Sequence, residues 1–260
     1  MKIFDKITNW FDLRSIRFVF KNRSSAGQVL SKKLLPTVEK ATNSDQLRNW
    51  NSILVIGIAK GGVVVAHEIA KRFNCELATI APLRISEASD CENTIGAILW
   101  VPSLCDTPNL VKDEYGNNYC IYLRMENRSI LEEPSRSELF KRALEKSDKY
   151  IEYTTRLIED RIVILVDDGV FSGATASVSL IWINSQNPYK LIFASPVAPL
   201  EFYDSVINNN DVFGVDHVEI LKKIPPSSVQ SSVSEYYENF EQMDEKLVKQ
   251  LLKSYCYNRF

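Results

Sequence analysis

"RIVILVDDGVFSGAT" (residues 161–175) carries an unbroken apolar run into two adjacent aspartates and then into a loop of small residues. A run without polar alternation suits a strand covered on both faces, as in the middle of a parallel sheet. Gly169 and Gly173 mark the turn that ends it, and "GATASVSLIWINSQ" (173–186) then resumes at helical spacing. The order is strand, acidic pair, glycine loop, helix.

Working outward, "NSILVIGIAKGG" (51–62) repeats the plan. Its apolar residues 53–56 end at Gly57 and a small-residue loop, with a helix predicted over "VVVAHEIAKRF" (63–73) and a strand over "CELATIAPLRI" (75–85). Strand, glycine loop, helix and strand make a βαβ unit and hence a parallel sheet. "YKLIFASPVAP" (189–199) reads as another buried strand, "EFYDSVINN" (201–209) as a short helix, and "DVFGVDHVEIL" (211–221) carries the last strand. "SSAGQVLSKKLLPTVEKA" (24–41) is predicted helical with Ser24 or Ser25 as N-cap. "SRSELFKRALEKSDKYIEYTTRLI" (135–158) is predicted as one long polar helix, its Ser135 and Glu138 resembling a capping box. "TIGAILWVP" (94–102) and "NNYCIYLRM" (117–125) read as an antiparallel pair or hairpin. The expected fold class is α/β, a Rossmann-like central, mostly parallel sheet flanked by helices. One domain spans 1–260, with an N-terminal helical segment (1–50) and a C-terminal helical tail (227–260) packed on it.

Composition narrows the function. A formal net charge of -2 leaves no basic footprint for nucleic acid, so none is expected as a partner. Five cysteines at irregular spacing, without a C-x-x-C pair, argue against a disulfide framework and a zinc site and fit a reducing cytoplasm. Two histidines exclude a His-rich metal centre. No apolar run approaches the roughly 20 residues needed to span a bilayer, and the opening 20 residues lack a signal-peptide core and read as an amphipathic helix. A cytoplasmic protein without membrane contact is expected, with homodimer formation left open.

Five of the nine glycines fall in the two loops: Gly57, Gly61 and Gly62, then Gly169 and Gly173. Open parallel sheets bind ligands beyond the carboxyl ends of their strands, so both loops can face one pocket. A helix N-terminus offers N–H groups and partial positive charge to a phosphate, with Ser172 and Thr175 as further donors. Asp167 and Asp168 cannot donate and so cannot hold that phosphate. They can accept from sugar hydroxyls and attract Mg2+. A ribose 5-phosphate meets both demands.

Residues 163–175, "VILVDDGVFSGAT", resemble the phosphoribosyl-pyrophosphate signature of type I phosphoribosyltransferases. Gly169 and Phe171 depart from it, standing where many members carry an aliphatic residue and a small or acidic one. "IGIAKGGVVVAHEIAKRF" (56–73) resembles the family's pyrophosphate loop, with Ala59, Lys60, Gly61 and Gly62 at its tip. That resemblance implies a non-proline cis peptide near Ala59–Lys60 and a pyrophosphate contact from Arg84. "FKNRSSAGQVLSKKL" (20–34), "SEASDCENTIGAI" (86–98), "SPVAP" (195–199) and "YYENFEQMDEKLVKQLL" (236–252) resemble, in order, a bacterial group of phosphoribosyltransferases of undefined acceptor. Residues 99–160 match least, and the catalytic lid is expected there or within 86–130.

The resemblance implies transfer of a phosphoribosyl group from phosphoribosyl pyrophosphate, with Mg2+, to a small-molecule acceptor expected to be a nitrogenous base. Asp167 and Asp168 are assigned to the ribose hydroxyls and metal. Gly169, Val170, Phe171, Ser172, Gly173, Ala174 and Thr175 are assigned to the 5-phosphate, with Phe171 able to stack on a planar base. Ala59, Lys60, Gly61, Gly62 and Arg84 are assigned to pyrophosphate. The rival from another class is a protein that binds phosphoribosyl ligands as a sensor without turnover. A two-component receiver domain also places paired aspartates after an apolar strand, but near the start of about 120 residues, and it leaves Gly-x-Thr unexplained.

Overall fold

The computed structural model describes residues 19–42, 52–87, 93–102, 109–124, 132, 134–155, 157–226 and 232–256. In chain order these form α1 (Arg23–Thr42), β1 (Ile53–Ile58), α2 (Gly61–Phe73), β2 (Glu76–Ile80), β3 (Leu83–Ser86), β4 (Thr94–Val101), β5 (Leu110–Lys112) and β6 (Asn118–Leu123). There follow α3 (Ser135–Asp148), β7 (Ile162–Val166), α4 (Ala174–Asn184), β8 (Lys190–Pro199), α5 (Leu200–Asn208), α6 (Asn210–Phe213), β9 (His217–Ile224) and α7 (Glu245–Cys256). Among the described residues no helix is long and apolar enough to cross a membrane. The amphipathic helix expected over residues 1–20 lies almost wholly outside the described residues.

Five strands form a parallel sheet in the order β2-β1-β7-β8-β9. All six residues of β1 and all five of β7 are buried, because helices cover both faces. Each such aliphatic side chain is worth about 1.5–3 kcal/mol of transfer free energy, which fixes these two strands at the centre. On one face α1, α2 and α7 contribute Leu30, Leu34, Ile69, Val248 and Leu252 to a core with Val55 and Ile164. On the other, α4 supplies Val178 and Trp182, packed against Leu54, Ile56 and Leu165.

A second, antiparallel sheet (β3-β4-β6-β5) lies beyond α4. Strand alternation divides β4 cleanly: Ala97, Leu99 and Val101 join the core around α4, whereas Ile98 packs with Tyr119, Leu139 and Phe140 beneath α3. The expected antiparallel pair of residues 94–102 and 117–125 is β4 with β6, and the connection between them adds β5.

Several boundaries differ from expectation for identifiable reasons. The strand read over 75–85 is two strands in different sheets, β2 and β3, interrupted at Pro82, which has no N–H for a ladder. The N-cap of α1 is Asn22 instead of Ser24 or Ser25. Its Oδ1 accepts from the Ser25 N–H at 2.9 Å, and its own N–H donates to Ser25 Oγ at 3.0 Å. This reciprocal pairing makes Arg23 the first helical residue. The helix α3 starts at Ser135 without a side-chain cap and ends at Asp148. Beyond it, Tyr150 and Tyr153 turn into the core through a short 3-10 segment, Ile151–Tyr153. Residues 210–213 are helical, and the last strand begins only at His217, after Gly214 with φ 61°.

Candidate functional site

The order of the parallel sheet reverses between β1 and β7, whose ends meet at the register pair Gly57 and Val166. Doubly wound sheets bind ligands in the crevice beyond the strand ends at such a reversal. The loops read from sequence, 59–62 and 167–175, flank it. Ala59 donates its N–H to Ile80 O at 2.9 Å, and the Ala59–Lys60 peptide is cis. The two loops touch. A Cβ on Gly61 would overlap the carboxylate of Asp168 and lie 2.8 Å from Arg23 Nε, and one on Gly62 would lie 2.6 Å from Val166 O.

The paired acids differ in surroundings. Asp167 is only 8% exposed, and its Oδ1 accepts the Asp168 N–H at 2.9 Å. Burial first, and then the neighbouring Asp168, push its carboxyl well above the usual carboxylate range. Asp168 Oδ2 accepts from Arg23 Nε at 2.5 Å, a largely buried ion pair with side-chain exposures of 15% and 8% respectively. Arg23 also donates from Nη1 to Glu241 O at 2.8 Å and lies 3.6 Å over the Phe240 ring. Tyr237 donates its hydroxyl to Asp168 O at 2.5 Å, and burial raises its own phenol far above the ordinary range.

The loop after Asp168 is built from both outward and inward residues. Gly169 meets the C-terminal segment, because a Cβ there would overlap Val233 Cγ1. Val170 turns inward at 2% exposure and donates its N–H to Val197 O at 2.8 Å. Ala174 is also fully buried. The side chains of Val170 and Ala174 are therefore taken up by packing. Phe171 stands 45% exposed. Ser172 Oγ accepts the Ala174 N–H at 3.4 Å, and Thr175 is half-buried in the first turn of α4. Gly173 caps that helix at φ 79°, a conformation only glycine adopts readily. The first turn of α4 carries no acidic residue, so its partial positive charge is left uncompensated by side chains of that turn.

Lys60 and Arg84 are both exposed. Arg84 lies on β3 of the antiparallel sheet, opposite Ala97, not at the end of a parallel strand. Sequence reasoning missed two further charged groups. Arg23 sat in a segment noted only for its resemblance, and nothing local reveals a partner 145 residues away. Lys146 looked like one more charge on a polar helix. Its Nζ donates to Pro82 O at 2.5 Å, and its ammonium is pushed down to about 8. Burial is the main cause; Asp167 opposes it, and Lys60, Arg84 and Lys149 add to it. The expected lid falls partly on residues outside those described (88–92, 103–108, 125–131 and 133), and the rest of 86–130 forms β4, β5, β6 and their flanks.

No protein-family model matches this chain. Two Mycobacterium tuberculosis proteins, from different strains and provisionally named phosphoribosyl transferases, are each 24% identical over 181 residues. The match covers 70% of this chain, which spans 36% of the length of those relatives. A solved Thermus thermophilus structure superposes at a TM-score of 0.60 with 23% identity, covering 91% of this chain and 98% of its own. The chain thus shares the fold of the Thermus thermophilus protein and is a sequence relative of proteins named phosphoribosyl transferases.

Proposed function

We propose that the crevice binds phosphoribosyl pyrophosphate with Mg2+ and transfers its phosphoribosyl group to a nitrogenous base, releasing pyrophosphate. The observation that carries this reading is the contact between the loops, with Gly61 packed directly on Asp168. A ligand with anions at both ends of a pentose then meets the glycine loop before α2, the acidic pair, and the α4 N-terminus in one crevice. The sequence kinship with named phosphoribosyl transferases supports the same reading.

In this reaction the bond from ribose C1 to pyrophosphate breaks, and the electron pair leaves with the pyrophosphate. The acceptor nitrogen forms the new bond to C1 and gives up its proton. The chain supplies position and charge more than bond-making groups. Asp168, held by Arg23 and Tyr237, accepts from a ribose hydroxyl. Asp167 fixes the Asp168 backbone and presents a carboxyl that burial inclines toward the neutral form. The α4 N-terminus with Ser172, Gly173 and Thr175 receives the 5-phosphate. Lys60, Gly61, Gly62 and Arg84 face the pyrophosphate, and exposed Phe171 offers a surface for a planar acceptor.

Among the described residues no group of three or more acidic, histidine or cysteine side chains is arranged to hold a metal ion. Asp168, with Asp167 once ionised, would hold Mg2+ brought in with the pyrophosphate. Bound there, Mg2+ neutralises charge on the leaving group.

Released pyrophosphate, measured with phosphoribosyl pyrophosphate, Mg2+ and a panel of bases, tests the proposal. Asp168→Asn is expected to lower the rate about 100-fold with whichever base reacts. Undiminished ribose 5-phosphate binding by that variant would refute the site. The Arg23–Asp168 ion pair, which already engages the key carboxylate, favours a second reading as a ligand sensor. Tight binding with no release for any base selects it.

A further inference from the structure

The buried residues of α3 are Leu139, Phe140, Ala143 and Ser147, and Lys146 lies half-buried beside them. Its ammonium reaches the crossover between β2 and β3, where Pro82 O accepts one of its three N–H groups. That crossover borders the crevice on two counts: Ile80 O accepts the Ala59 N–H, and the chain continues from Pro82 to Arg84.

Among the described residues Lys146 makes no ion pair with a carboxylate. The charges that act on it are Asp167, whose carboxyl is itself disfavoured as an anion, and the cations Lys60, Arg84 and Lys149. Lys60, Arg84 and Lys146 come from three separate elements: the loop after β1, the strand β3 and the helix α3. Burial and the neighbouring cations work against the Lys146 charge, and an anion beside it would offset that cost. Polyanionic oxygens, which accept several charge-assisted hydrogen bonds at once, match what the three present.

We propose that Lys146 is a pyrophosphate-binding residue, its ammonium joining Lys60 and Arg84 on the oxygens of the leaving group. This rests on the functional reading above and extends it to a residue outside both loops. Lys146 thereby couples the antiparallel layer to the crevice, since α3 packs on β4 and β6 through Leu139 and Phe140.

The test is calorimetric titration of the full chain with sodium pyrophosphate and, separately, ribose 5-phosphate. Lys146→Met is expected to weaken pyrophosphate about tenfold and to change ribose 5-phosphate less than about twofold. Between pH 7 and pH 9 the wild-type protein should lose pyrophosphate affinity relative to Lys146→Arg. The lysine discharges near 8, the guanidinium does not, and the ligand's own titration is common to both. A folded Lys146→Met protein that binds pyrophosphate as wild type does, or that loses both ligands equally, overturns the assignment. Should Lys146→Met fail to fold, the Lys146→Arg comparison decides: parallel pH profiles for that variant and wild type overturn it. Wild-type protein that binds neither ligand removes the reading of the whole crevice, which separates that failure from this one.

Discussion

Replacing Lys146 by methionine should make the protein more stable, by an amount that depends on pH in a defined direction. The unfolded lysine titrates near 10.5 and the folded one near 8, so folding disfavours the charged form. Below pH 8 both states carry the proton, and the folded state bears the full cost of the partly buried ammonium. Between pH 8 and pH 10.5 the unfolded chain holds a proton that the folded chain has released, so wild-type stability rises with pH. Above 10.5 both are neutral and the penalty is gone. At about 1.4 kcal/mol per tenfold change the penalty is about 3 kcal/mol, falling to about 2 kcal/mol when screening at the partly exposed ammonium is allowed for. Methionine removes that cost but leaves Pro82 O without its donor, a loss of about 1 kcal/mol at every pH. The variant should therefore be more stable by about 1–2 kcal/mol at pH 7 and slightly less stable than wild type by pH 10.5. Urea unfolding of both proteins across that range, followed by circular dichroism, measures the difference. A pH-independent difference, or a variant that gains on wild type as pH rises, refutes the argument.

Gly61→Ala places a methyl group inside the Asp168 carboxylate and against Arg23, so the loops must separate. Stability should fall by about 1–3 kcal/mol at an unchanged urea m-value, and unchanged stability would show that the loops are not in contact. Gly169→Ala drives into Val233, and hydrogen exchange should quicken at the amides of Glu238 and Asn239, which pair with Phe20 O and Lys21 O. Gly169→Ala with Val233→Ala should restore most of that protection; a double variant no better than the single one contradicts the packing.

What the sequence made legible follows from how local each signal is. The strands β1 and β7 are buried on both faces, so their apolar runs survive without context, and the glycines after them mark turns that only the sheet order brings together. Pro82 was an equally local signal, and reading through it merged two strands that belong to different sheets. The end of α3 carried no such mark. Neither glycine nor proline stands between Asp148 and Tyr150, and the helix stops because Tyr150 and Tyr153 are worth more inside the core than on a polar helix face. The α1 cap was misplaced by two or three residues because Ser25 closes the capping box from inside the helix instead of opening it.

The missed charges share a cause. Arg23 finds Asp168 across 145 residues and Lys146 finds Pro82 across 64, so neither pattern exists until the layers assemble. Their energetic signs are opposite, and this separates their roles. Arg23 is compensated: a carboxylate, a carbonyl and an aromatic face surround one guanidinium, and its loss would leave Asp168 partly buried and unpaired. Lys146 has only Pro82 O and the field of Asp167 to offset its burial, which pushes its ammonium down to about 8. A charge that burial disfavours at neutral pH contributes little to folding where it stands. If the proposal for Lys146 holds, the stability it costs is the counterpart of an ammonium kept ready for an anion.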